Sequence, residues 1–234
     1  MATRKSPVPP SGPARHRAPA GGPARQPGRP ARADGDLREA LVEAALHAFA
    51  TDGFGASTLR GIARAAGVTP AMAHYYFGDK AGLLAAVVEL RVQPLAAKIA
   101  ARVGEAGADP LAALRAFIHA YEGLAFEHPW VPRLVVREVL GEGGVLREHF
   151  SRHFAARVGD RLLAGIRAAQ ALGQVDPALD ARKVALSFLS LCVFPVITAP
   201  VIPVVLGVPV GRDDVAGLAE HQFRVFLKGV EPKP

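Results

Sequence analysis

The chain has 234 residues, half of them apolar, which is enough to bury a sizeable core and predicts one or two domains. Its single cysteine, Cys192, excludes an intrachain disulfide framework and fits a reducing cytosol; because it lies in an apolar run, we expect a buried, inert thiol. The sequence contains no CxxC, HExxH, GxSxG, Walker or GxGxxG pattern, which argues against the enzyme classes that use them.

The net charge of +7 is concentrated in residues 1–35, which hold seven basic residues against one acidic residue, Asp34. This segment is rich in Pro, Ala, Gly and Arg and has no apolar periodicity, so it cannot offset its ordering entropy and is predicted to be disordered. It lacks the apolar stretch of a secretory signal. Two roles are open: a solubilising extension, or a flexible arm that strengthens DNA binding through phosphates.

Two helices are predicted directly after this tail. Apolar residues recur at helical spacing from Asp36 until the glycine-containing stretch 51–55 ends the pattern. Residues 57–67 predict a second, short helix, since Thr58 is an N-cap candidate and Gly67 is a natural stop.

The rest of the chain continues as helical patterns divided by Gly and Pro. Thr69 is the expected N-cap of a third helix, with Pro70 at the first helical position, where a missing N–H costs nothing. Asp79 is expected to cap a longer helix that runs to about Arg102. Further helices are predicted near residues 110–127, 130–141, 145–172, 177–199 and 213–229. No strand alternation is present, so the predicted class is all-α.

The second and third helices, joined by a glycine turn, form a helix-turn-helix pattern. Gly67 can take a positive φ cheaply, and the second helix is then free to enter a DNA major groove. The stretch TLRGIARAAGVTPAMAHYYFGDKAGLLAAVV (58–88) resembles the DNA-binding motif of the tetracycline-repressor (TetR) family of bacterial transcription regulators. The residues that carry the resemblance are Phe49, Gly53, Thr58, Ile62, Ala63, Ala66, Gly67, Val68, Tyr75, Tyr76, Phe77 and Lys80.

This resemblance implies an all-α fold with a three-helix helix-turn-helix module over residues 36–82 and a helical ligand-binding and dimerisation domain over residues 83–230. It also implies a cytoplasmic homodimer that binds a palindromic operator in double-stranded DNA. The expected action is repression that ends when a small, apolar or aromatic effector binds. No enzymatic activity, cofactor or metal ion is expected.

The resemblance also implies which residues meet DNA. Phe77 would fill the core beneath the recognition helix, the tyrosines would reach the DNA backbone, and Lys80, at the start of the next helix, would meet a phosphate. Successive helical residues are about 100° apart, so three adjacent aromatics cannot all face one core. The residues expected at the DNA are Ser57, Thr58, Thr69, Pro70, Met72, Ala73, His74, Tyr75, Tyr76 and Lys80.

Residues 184–211 form a run without any charged side chain, long enough to span a bilayer. Four prolines in the run would break a spanning helix repeatedly. A helix that is apolar all round can equally be buried on every side. We therefore predict that residues 177–199, together with the last helix, form a dimer core and that no segment enters a membrane; a membrane-attached helical protein is the alternative.

Segment 117–154 combines aromatic side chains with a few polar groups, as a small-molecule pocket requires. The ligand-binding residues predicted on this basis are Phe117, Tyr121, His128, Trp130, Arg137, Glu138, His153 and Phe154, with Phe188 as a far wall. His149 and His153 share a helix face, but no third ligand stands at firm spacing, so no metal site is predicted. An all-α enzyme using Glu138 with His149 or His153 is a second alternative.

Overall fold

A computed structural model describes residues 34–152 and 156–232. Every regular element in these ranges is a helix, which confirms the predicted all-α class. Nearly all of the predicted basic tail lies outside the described residues, and the first helix begins two residues before the expected position, at Asp34.

The N-terminal head consists of α1 (Asp34–Thr51), α2 (Leu59–Ala65) and α3 (Pro70–Phe77). Local hydrogen bonds set the start of each short helix: the Thr58 hydroxyl accepts from the Gly61 N–H at 3.0 Å, and the Thr69 hydroxyl accepts from the Met72 N–H at 3.3 Å. Gly67, between α2 and α3, has a φ of 68°, which a residue with a side chain adopts only with strain. The predicted helix-turn-helix is therefore present with its predicted caps.

A long helical rod connects the head to the body. It consists of α4 (Lys80–Val87), a π-helical turn (Val88–Val92) and α5 (Gln93–Gly104). The Asp79 carboxylate caps it by accepting from the Gly82 N–H at 2.8 Å, as predicted. A π-helical turn holds one more residue than an α-helical turn, so it changes the rotational phase between the two halves of the rod.

The body contains the remaining helices. They are α6 (Pro110–Glu127), α7 (Trp130–Leu134), a π-helical turn (Val135–Leu140), α8 (Arg147–Phe150), α9 (Ala156–Ala171), α10 (Ala181–Thr198), α11 (Ile202–Leu206), a 3-10 turn (Arg212–Asp214) and α12 (Val215–Val230). The predicted helix 145–172 contains both α8 and α9. The helix predicted from residue 177 begins at Ala181, because the Asp180 carboxylate caps it through the N–H groups of Arg182 and Lys183.

Two main apolar cores hold the structure together. The head core joins α1, α2 and α4 to the body, since buried Leu134, Val139 and Leu146 pack with Phe49 and Leu83. The body core is formed by α6, α9, α10 and α12. Because the head core includes side chains on both sides of residue 82, the head and the element around α7 pack as one unit.

Within the described part of the chain, α10 is the one helix whose length and composition would suit a membrane span, a test that a core helix of a soluble protein also passes. One side of it packs in the body core through Phe188 and Cys192, both fully buried. Leu186 and Phe194 are exposed on it, and Val204 on α11 is 85% exposed.

Candidate DNA-binding surface and effector cavity

Helix α3 separates its aromatic side chains by face. Tyr75 is 79% exposed, Tyr76 is half-buried, and Phe77 packs against the head core. The Tyr76 hydroxyl donates to the Asp34 carboxylate at 3.0 Å, which joins α3 to the start of α1. The exposed side of α3 therefore presents Tyr75 and His74, as a helix that enters a groove requires.

Two residues predicted at the DNA are withdrawn from the surface. Ala73 is fully buried, where α3 packs against Ala63 and Val68, so its side chain forms core and cannot contact DNA. Ser57 is also buried, and its hydroxyl donates to the Gly53 carbonyl at 2.6 Å. Small side chains at these positions allow the helices of the head to approach closely.

The Lys80 side chain, at the start of α4, is hydrogen-bonded to the loop between α1 and α2. Its ammonium donates to the carbonyls of Phe54 and Ser57 at 2.6 and 2.7 Å and lies 4.2 Å from the centre of the Phe54 ring. An ammonium has three N–H donors, so one remains for a phosphate. Lys80 therefore fixes the loop between α1 and α2 whether or not it also contacts DNA.

The outer side of the head offers further polar groups. The His74 Nδ1 lies 2.6 Å from the Gly78 carbonyl, which can only accept, so Nδ1 carries the proton and Nε2 is left to face outward. Thr69, Pro70 and Thr58 are exposed at the helix starts, while Met72 is half-buried. Arg60 and Arg64 on α2 are also exposed. These two residues are not among the DNA contacts predicted from the sequence.

Arg137 and Glu138 join the body to the head, in place of their predicted role as ligand contacts. Glu138, only 5% exposed, accepts from the Phe54 N–H at 2.7 Å through Oε1. Arg137 donates to the Thr51 carbonyl at 2.5 Å. A buried carboxylate needs hydrogen-bond donors, and the free N–H groups of the loop after α1 supply one. We call this set of contacts the clasp.

The body contains a cavity of about 600 Å³, partly open to solvent, between α5, α6 and α9. Its lining residues are Gln93, Ala96, Ala97, Ile99, Ala100, Val103, Pro110, Ala113, Leu114, Phe117, His149, Arg157, Val158, Arg161, Leu162 and Gly165. α5 has no buried residue, because its apolar side faces this space instead of packed side chains. A cavity of this size and lining is typical of a small-molecule site.

The predicted ligand residues that the structure describes are distributed around the body, and Phe117 is the one among them that lines this cavity. Phe188 is fully buried in the body core and Tyr121 packs against that core; Trp130 packs against the head core with the His128 ring 6.1 Å away. His153 and Phe154 lie outside the described residues. The aromatic density in the sequence therefore reflects two cores as well as one wall of the cavity.

Glu122 is a buried carboxyl that the sequence reading did not single out. It is fully buried on the inner face of α6, where its burial raises the pKa to about 8 despite the nearby Gln222 amide. Neither Glu122 oxygen nor the Gln222 Oε1 has a hydrogen-bond partner among the described residues. A proton on Glu122 would satisfy both groups by donating to that Oε1. The only sequence signal is its position between Ile118 and Ala125 on an apolar face.

The neighbouring Cys192 is fully buried, and burial raises the pKa of its thiol well above the usual range. Burial likewise raises the pKa of Tyr121 to about 12. No group of three or more His, Cys, Asp or Glu side chains that could hold a metal ion occurs in the ranges 34–152 and 156–232.

Known proteins resemble this chain over both regions. The family described as "Bacterial regulatory proteins, tetR family" matches residues 41–87, and "Tetracyclin repressor-like, C-terminal domain" matches residues 110–223. The regulator BetI of Rhizobium meliloti (strain 1021) is 33% identical over 153 residues, 63% of this chain and 70% of BetI. The regulator RutR of Escherichia coli (strain K12) is 27% identical over 210 residues, 88% of this chain and 96% of RutR.

The fold also matches a solved structure. The fatty acid degradation regulator FadR from Bacillus halodurans superposes with a TM-score of 0.66, at 16% identity, over 84% of this chain and 97% of FadR. At that identity the match concerns the fold alone.

Proposed function

Because the chain belongs to the tetR family of bacterial regulatory proteins and is a ligand-responsive, DNA-binding transcriptional regulator, we propose that it acts as a repressor on a palindromic operator. The proposed effector is a small molecule that binds in the cavity between α5, α6 and α9. The observation that carries this proposal is the clasp, which joins the DNA-binding head to the element beside the cavity by hydrogen bonds. We expect this regulator to act in the cytoplasm and to have no enzymatic activity.

On the DNA side, we propose that α3 enters the major groove. Its exposed His74 and Tyr75 then reach base edges and the backbone, and Thr58, Thr69 and Pro70 approach phosphates at the two helix starts. Tyr76 and the remaining Lys80 donor are placed at the edge of this surface, and Met72 beneath it. Arg60 and Arg64 supply positive charge on the neighbouring helix.

On the effector side, the unfilled face of α5 supports an apolar ligand. Ala96, Ile99 and Val103 lie on this face and are only half-buried without one. Binding would remove their apolar surface from water, which is the main source of affinity for such a cavity.

A continuous chain of contacts connects the two sites. His149 on α8 lines the cavity, and Arg147 on the same helix donates to the carbonyls of Val139 and Gly141 at 3.0 and 2.5 Å. The Leu146 N–H donates to the Glu138 carbonyl at 2.9 Å, next to the clasp. A ligand that displaces α8 would therefore move the clasp and with it the loop that carries α2. Such a ligand changes DNA binding only if its affinity differs between the two arrangements.

Two copies would set their α3 helices about one DNA turn, ~34 Å, apart and so read a palindrome. We place the two-fold contact on α10 and α12, because Leu186, Phe194 and Val225 are exposed apolar side chains there.

The test is fluorescence anisotropy with a labelled palindromic fragment from beside the protein's own gene. We expect one dimer per fragment and affinity well above that for a scrambled fragment of equal length. The matched variants are Tyr75→Ala, which removes an exposed side chain of α3, and Leu172→Ala, which removes an exposed side chain of the body outside the proposed two-fold contact. Equal affinity for the two fragments would overturn the proposed function.

A further inference from the structure

The cavity wall contains two cationic side chains. Arg157 and Arg161 on α9 both line the cavity, and because they are four residues apart they lie on the same face of the helix. Both are exposed at its opening, and neither forms an ion pair with any residue that the structure describes.

None of the described residues that line the cavity is acidic, so none balances this charge. Asp160 is on α9 between the two arginines, but it is exposed and does not line the cavity. Gln93 and His149 are the other polar residues in the described part of the lining, and the remaining described residues there are apolar side chains and a glycine. The cavity therefore combines a long apolar wall with a positive opening.

We propose that the cavity binds an anionic amphiphile. The apolar part of the ligand fills the space along α5 and α6, and its carboxylate or phosphate pairs with Arg157 and Arg161. A guanidinium group matches either anion through two parallel hydrogen bonds, and two guanidinium groups on one helix face can hold the same head group. This inference deepens the proposed function, because it names the chemical class of the effector for the same site.

The probes share one twelve-carbon chain and differ in their head groups: dodecanoate, dodecyl phosphate, 1-dodecanol and dodecyltrimethylammonium. Binding to the full chain is measured by calorimetry below the aggregation concentration of each probe, without DNA. We expect the two anions to bind at least about tenfold more tightly than the alcohol, and the cation to bind most weakly. The ratio between dodecanoate and dodecyl phosphate distinguishes a carboxylate ligand from a phosphate ligand.

The variants are Arg157→Gln, Arg161→Gln and the double variant, with Arg167→Gln as the matched control because Arg167 is exposed on α9 outside the lining. The double variant should lower anion affinity to that of the alcohol and leave alcohol affinity unchanged, while Arg167→Gln changes neither. Equal binding of all four probes, failure of all four to bind, or equal losses for alcohol and anion in the double variant would overturn the inference.

Operator release, measured by anisotropy with the same probes, separates the two proposals. Anion-selective binding without any operator binding would contradict the proposed function and leave the ligand class standing. Operator release by the alcohol and the anions at equal concentrations would support the proposed function and overturn the ligand class.

Discussion

Helices α3 and α5 are both surface helices, but they use their apolar sides differently. α3 buries Ala73 fully and packs Phe77 into the core, so its functional side is the exposed one. α5 buries no residue, and its apolar side faces the cavity. The head is therefore packed on its inner side and exposed on its outer side, whereas the apolar side of α5 faces a cavity. Substitutions in the two regions should consequently act under different conditions.

The largest expected difference is in stability. Phe49→Ala, in the head core, should lower the free energy of unfolding by about 3–5 kcal/mol, because the side chain is fully buried and leaves a cavity. Ile99→Ala, on the cavity wall, should cost less than about 1 kcal/mol, because its side chain already faces empty space. Urea unfolding monitored by circular dichroism measures both. Equal losses would show that α5 is packed like the head core and would break the comparison.

The two buried glutamates of the body sharpen the contrast further. Glu138 accepts a hydrogen bond from the head, whereas neither Glu122 oxygen has a hydrogen-bond partner among the described residues. Burial raises the pKa of Glu122 to about 8, above the unfolded value of 4.5. Between these two values the folded protein holds a proton that the unfolded chain releases. Stability should therefore fall as the pH rises, by at most about 1.4 kcal/mol per pH unit.

Glu122→Gln is the matched variant for this prediction. It cannot ionise, and its amide can still donate to Gln222, so its unfolding free energy should change less between pH 5 and 8 than that of the wild type. Chemical unfolding at a series of pH values measures the difference. Parallel pH profiles for the two proteins would mean that Glu122 is not the titrating group.

A smaller effect is expected on the exposed side of α3. Tyr75→Phe removes one hydroxyl from a side chain that is 79% exposed, so stability should be unchanged. If the hydroxyl donates to a phosphate, DNA affinity should fall about fivefold on operator and unrelated DNA alike. Tyr121→Phe, in the body, is the control and should leave DNA affinity unchanged. A change in base preference with intact non-specific binding would contradict the phosphate role.

The smallest expected effect concerns the clasp. Glu138→Gln keeps an acceptor for the Phe54 N–H but removes the charge. The hydrogen bond that joins the body to the head should therefore be weaker. The ratio of operator affinities with and without dodecanoate should fall by the equivalent of about 0.5 kcal/mol. Glu142→Gln, exposed in the same region, is the matched control. An unchanged ratio in Glu138→Gln would show that the clasp does not couple the ligand cavity to the DNA-binding surface.

The sequence alone predicts a structural feature correctly where the physical cause of that feature is local. The caps at Thr58, Thr69 and Asp79 are correctly predicted because each hydroxyl or carboxylate binds an N–H three residues away. The roles of Arg137 and Glu138 could not be predicted, because their partners lie more than 80 residues away along the chain. The cavity could not be predicted from the sequence either, because it too depends on contacts between distant parts of the chain.

Amphipathic periodicity shows that α5 has an apolar side, but it cannot show that this side remains unfilled, because that depends on how α6 and α9 are placed. The four-residue spacing of Arg157 and Arg161 is the one sequence signal for the opening of the cavity. The burial of Ala73 also depends on tertiary packing, here against α2.

Two π-helical turns lie where the head meets the body. Val88–Val92 joins α4 to α5, and Val135–Leu140, which carries the clasp residues, follows α7. Each such turn contains one residue more than the α-helix on either side would hold. If the same residues were wound as a regular α-helix, with none removed, α5 would be rotated by about 100° relative to α4. The apolar side of α5 would then turn away from the cavity while the head kept its own packing, so the direction that this side faces depends on the π-helical turn and not on the head.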